Sequence, residues 1–61
     1  MDITPIAERA LEFLRRNADT PSIEAITNIG EIFEVEWAER GKKAGSLYIT
    51  DDMKIVGFKR F

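Results

Sequence analysis

Glu34 and Glu36 have the residue type and spacing that acid–base chemistry uses. Two residues apart on a strand, they share a face, with their carboxylates about 6–7 Å from one another. That separation resembles the carboxylate pairs of glycoside hydrolases, which act across a deep sugar-binding cleft. A chain of 61 residues has little material for such a cleft. Histidine and cysteine are both absent, so Ser–His and Cys–His pairs, Cys-based zinc sites and Fe–S clusters are excluded. Asp51-Asp52 would open a calcium loop only if further oxygen ligands followed at alternate positions, but Met53, Lys54 and Ile55 follow. Gly41 and Gly45 lack the spacing and the trailing Lys-Ser/Thr of a phosphate-binding loop. The expectation is therefore a non-enzyme with no catalytic residue, cofactor or metal, its strand glutamates solvated opposite Lys54 or Arg60.

The bases carry a second candidate chemistry. Residues 1–39 hold nine acids against three bases, a charge of −6, and residues 40–61 hold six bases against two acids, +4. Lys42, Lys43, Lys54, Lys59 and Arg60 would contact phosphate in a nucleic-acid-binding module, with Tyr48 or Phe61 stacking on bases. Against this stand the net charge of −2, the strand glutamates and the lack of an RNA-binding motif. An acidic strand lying beside a basic one explains the same asymmetry by pairing across a sheet.

The elements that would position these groups follow from periodicity. Phe33, Val35 and Trp37 alternate with Glu34 and Glu36, so the stretch from residue 31 to about Arg40 reads as a central strand with a dry face and a wet one. Residues 4–16 read as a helix, with Thr4 as cap, Pro5 in the first turn and Ile3, Ile6, Ala7, Ala10, Leu11 and Leu14 on one stripe. Glu12 and Arg16 stand four apart in the favourable order, and Arg15 and Arg16 suit the end of the helix dipole. Asn17 to Ser22 is turn chemistry. Ser22–Ile29 carries Ile23, Ala25, Thr27 and Ile29 at strand spacing, with a short helix through Ile23, Ile26 and Ile29 as the alternative. Gly30-Glu31 reads as a tight turn, and Gly41–Gly45 as a loop with two lysines at its tip. Leu47–Thr50 forms the next strand, Asp51-Asp52 a turn, and Met53–Phe61 the last strand. That last strand is apolar on both faces in its middle, and Val56 and Phe58 are assigned inward, with Ile55 and Phe61 outward. The fold class is α+β, a single domain over residues 1–61, with one N-terminal helix on one face of a three- or four-stranded antiparallel meander.

A domain of this size buries only about 60% of its unfolded surface, and without disulfides its stability rests on the 44% of residues that are hydrophobic. The N-terminus lacks the basic start and apolar run of a signal peptide, and nothing approaches the roughly 20 apolar residues of a membrane span. A cytoplasmic protein without a membrane partner is expected.

One helix covers one face of a sheet, which leaves the other for water or a partner. On the register above, that face carries Ile32, Tyr48, Ile55 and Phe61 among Glu34, Glu36 and Lys59, an apolar centre rimmed by charge. Non-catalytic self-association through this face, as a homodimer, is the reading it supports, with another protein as the other possible partner. Edge strands offer a second route, sheet to sheet.

The runs Phe33-Glu34-Val35-Glu36-Trp37-Ala38-Glu39-Arg40, Leu47-Tyr48-Ile49-Thr50-Asp51-Asp52 and Val56-Gly57-Phe58-Lys59-Arg60-Phe61 resemble those of gas-vesicle accessory protein O. That family has a helix, a Val-Glu-rich strand ending in Glu and Arg, an acidic turn and a final Gly-Tyr-Arg-Arg-type strand. The helix-then-meander order is also similar to small PepSY-type modules. The Gly41–Gly45 segment is more compact than the proline-containing loop of the vesicle family. The resemblance implies an assembly or binding role and supplies no active-site residues.

Overall fold

The computed structural model describes residues 2–61. Helix α1 spans Thr4–Asn17, close to the stretch its apolar stripe predicts. Ile6, Ala10 and Leu14 are its buried residues, and Phe13 packs at their margin. Thr4 is not the cap. The N-cap is Ile3, which makes no side-chain capping bond, and the free Thr4 N–H instead donates to Asp2 Oδ1 at 2.9 Å. That bond holds the Asp2 carboxyl below the usual carboxylate range. Glu12 accepts from Arg9, one turn before it, at 2.9 Å, so it is Arg9 that the helix surface pairs with Glu12. Ala18 turns extended and ends the helix.

Four strands follow, β1 (Pro21–Asn28), β2 (Ile32–Glu39), β3 (Lys42–Thr50) and β4 (Ile55–Arg60). They form one antiparallel sheet in the order β1-β2-β3-β4. Residues 22–29 are thus strand rather than short helix over nearly their whole length. Gly30 takes φ +102° in the first turn, where Ile29 N–H donates to the Ile32 carbonyl. The expected loop at Gly41–Gly45 does not form. Arg40 and Gly41 take φ +53° and +80°, the two consecutive left-handed residues of a tight hairpin turn whose twist matches that of the strands. Glu39 faces Lys42 across it, so β3 begins at Lys42. Gly45 has a different task. A Cβ there would meet the Lys59 carbonyl oxygen at 1.9 Å, so the residue lets β3 and β4 approach closely. In the last turn Met53 is left-handed, and the Thr50 hydroxyl accepts from Lys54 N–H at 3.1 Å.

The core lies between α1 and one face of the sheet. Phe33, Val35 and Trp37 of β2 and Leu47 and Ile49 of β3 meet Ile6, Ala10 and Leu14 there, the dry face that the alternation of β2 predicts. Each hairpin has one register shift, leaving Glu24, Ala44 and Val56 as extra residues. The third overturns part of the face assignment. Tyr48 faces Gly57 and Ile49 faces Ile55, with Val56 between. Ile55 therefore packs against the core instead of lying outward, and Val56, expected inward, is exposed. A bulge resets the parity of every residue beyond it.

Candidate interaction surface

Of the four residues predicted to form a docking face, Ile32 and Tyr48 stand on the face away from the helix. Ile32 opposes Thr50, and Tyr48 opposes Glu34. Ile55 lies on the helix side. Phe61 follows β4, where its N–H donates to the Ala44 carbonyl, at the opposite end of β3 from Thr50 and Ile32. The structure brings Ile32 and Tyr48 together and leaves Ile55 and Phe61 apart from them.

The open face is also more polar than the pattern suggests. The Tyr48 hydroxyl donates to Glu34 at 2.8 Å, and this bond raises the phenol pKa above its ordinary value. Lys43 lies 3.8 Å from Glu36, and Ser46 sits between Glu36 and Lys59 in the register. The glutamates at 34 and 36 thus meet Tyr48 and Lys43, not Lys54 or Arg60. They face open sheet instead of a cleft.

The five bases proposed as phosphate contacts divide. Lys42, Lys43, Lys59 and Arg60 lie near the Arg40-Gly41 end of the sheet, and Lys54 precedes β4 at the other end. Arg60 donates to Glu39 at 2.7 Å and to the Asn17 carbonyl at 3.0 Å. Glu39 also accepts the Asp19 backbone N–H at 2.7 Å. That bond, then the one from Arg60, holds its carboxyl below the usual range. Arg40 pairs with Asp19, so both arginines are held within a closed ionic group at the end of the helix.

Apolar surface collects elsewhere. Five large apolar side chains are exposed among the described residues, and three of them, Val56 at 54%, Phe58 at 38% and Phe61 at 76%, lie on β4 or directly after it. For Phe58 the reason is the reach of the helix. α1 packs chiefly against β1 and β3 and meets Phe58 through Phe13, edge to face, with ring centres 5.1 Å apart. The other side of Phe58 stacks on Trp37 at 5.4 Å, leaving its outer margin uncovered. β4 is also an edge strand. The two-sided apolar run at Ile55-Val56 and Phe58 was the sequence signal for this margin, but alternation alone divided it between two faces.

A groove on the outer side of α1, lined by Glu8, Leu11, Glu12, Arg15 and Arg16, is open and of mixed charge. The buried Trp37 Nε1 has no hydrogen-bond partner among the described residues. No group of three or more acidic side chains suited to a metal ion occurs among them, and no helix is long and apolar enough to cross a membrane. Comparison with known protein families, with curated proteins and with solved structures finds no match for this chain.

Proposed function

We propose that this protein is a non-catalytic interaction module that associates with itself, and that its contact surface is the β4 margin. One observation carries the reading. Three of the five exposed large apolar side chains lie on one edge strand or directly after it, whereas the open face is occupied by the Tyr48–Glu34 and Lys43–Glu36 pairs. Apolar side chains beside an edge strand are a feature of association sites. An assembly role, as the resemblance to gas-vesicle accessory protein O implies, fits such a surface, and we take the protein to act in the cytoplasm.

The test is solution mass by light scattering across a concentration series, at low and high salt. A dimer that persists in high salt and is weakened by Val56→Glu or Phe61→Glu supports the reading, because both side chains are exposed and their loss leaves the core intact. A monomer at every concentration overturns it. Mass gained only on adding nucleic acid, and lost as salt rises, would instead favour a phosphate-binding module using Lys42, Lys43 and Lys59.

A further inference from the structure

We infer that the outer side of α1 is a self-contact in its own right, in which the helices of two copies lie antiparallel about a twofold axis between Leu11 and Glu12. The contact goes beyond the β4 margin: it is ionic, it uses other residues, and it stands or falls separately.

The helix presents more than the sheet engages. Ile6, Ala10 and Leu14 are taken up by the core, whereas Leu11, on the same apolar stripe by sequence, lies outside that cluster. It is half-buried in the groove that it lines with Glu8, Glu12, Arg15 and Arg16. Glu8, Leu11 and Arg15 are three and four residues apart, so they form one row along the helix, the spacing through which helices pair side by side. At 3.6 residues per turn this row lies about 150° around the axis from the buried line, on the far side from the sheet. Its charges are free. Arg9 pairs with Glu12, Arg40 with Asp19, Lys43 with Glu36 and Arg60 with Glu39. Glu8, Arg15 and Arg16 have no ion-pair partner among the described residues.

The order of these charges selects a second copy as the occupant. The groove is acidic at Glu8 and Glu12 and basic at Arg15 and Arg16, a pattern complementary to its own reverse, as a twofold contact requires. Laid parallel, two copies would set Glu8 on Glu8 and Arg15 on Arg15, which repel. Laid antiparallel, each Glu8 faces the partner's Arg15, and the two Leu11 side chains come together at the centre. Charge also fixes the register, as it does between paired helices generally. A slide of one turn in one direction sets Glu8 against the partner's Asp19. A slide of one turn in the other leaves Glu8 facing Leu11, and Arg15 facing Thr4. A contact along one 14-residue helix falls below about 1,200 Å² of total buried surface, the range of weak complexes, and its exposed ion pairs make it salt-labile.

NMR of the unmodified chain over a concentration series, at about 0.05 M and about 0.5 M salt, tests this. The Leu11 methyl and the Glu8 and Arg15 amide shifts should move with concentration, and the apparent Kd should rise about fivefold or more at the higher salt. Phe61→Glu should leave these shifts in place, which separates the contact from the β4 margin. Charge reversal then tests the antiparallel order, with circular dichroism recording that each helix is intact. Glu8→Arg and Arg15→Glu chains should each lose the contact alone and regain it when mixed in equal amounts, because one row is then wholly basic and the other wholly acidic. Shifts in α1 that stay fixed, or that move equally at both salts, overturn the helix pairing and leave the β4 reading standing. Two folded variants that fail to associate when mixed overturn it as well.

Discussion

The guanidinium of Arg60 lies 5.1 Å from the centre of the Trp37 ring, while its nitrogens bind Glu39 and the Asn17 carbonyl. One side chain thus covers the only tryptophan and ties β4 to β2 and to the end of the helix. Arg60→Ala should lower stability by about 1 kcal/mol through the lost cation–π contact and stem packing. Arg60→Lys should recover only part, because an ammonium cannot reach both acceptors while stacking on the ring. Urea unfolding followed by indole fluorescence measures both, and equal stability of Arg60→Lys and the parent chain would refute the role given to the planar group.

Glu39 supplies a pH dependence. Its folded-state pKa is depressed, first by the Asp19 N–H and then by Arg60. The unfolded chain therefore binds the proton more readily than the folded one. The stability Glu39 contributes is present above the ordinary carboxylate value of 4.5 and is lost as pH falls through the lower folded value. Asp2 and Asp52 are shifted the same way. Glu39→Gln should flatten the fall of urea midpoint with acid, and added salt should shrink the parent's fall because the half-buried Glu39 pairs with an exposed Arg60 at the surface.

Two glycines should respond very differently to alanine. At Gly45 a methyl collides with backbone, so Gly45→Ala should cost about 3 kcal/mol or more as β4 is pushed from β3. At Gly41 the space is open and only the φ of +80° is strained, so Gly41→Ala should cost about 1 kcal/mol. Comparing denaturation midpoints decides it, and a larger loss at Gly41 would contradict the close approach of the last two strands.

The bulge at Val56 separates the effects of two adjacent residues. Ile55→Ala should destabilise by about 1–2 kcal/mol because its side chain packs on the core. Val56→Ala should change the stability of the monomer by less than about 0.5 kcal/mol. Thermal unfolding at low concentration, where association is negligible, tests this pair.

Where one element buries one regular face, the sequence announced it. The stripe of Ile6, Ala10 and Leu14 and the alternation of Phe33, Val35 and Trp37 were readable because helix and strand periods differ. The parity of β4 was not readable, since an extra residue in a bulge leaves no mark in composition and exchanges faces beyond it. Gly41 and Gly45 look alike as loop ends, yet one permits a left-handed turn and the other a close approach, a distinction that depends on a strand 14 residues away. The candidate contact surface was half legible. The apolar excess of residues 55–58 was visible, but the partial cover of Phe58 depends on where the helix comes to rest.

The strand order β1-β2-β3-β4 also governs how quickly the fold can be found. Every strand hydrogen-bonds only to its neighbours in sequence, so each closure spans a short loop and costs little chain entropy. The turn at Arg40-Gly41 supplies a local seed, from which β1 and β4 add by hairpin extension to either side. Pairing within the sheet is therefore local, and the closure that joins distant parts of the chain is the docking of α1 on β3 and of Phe13 on Phe58.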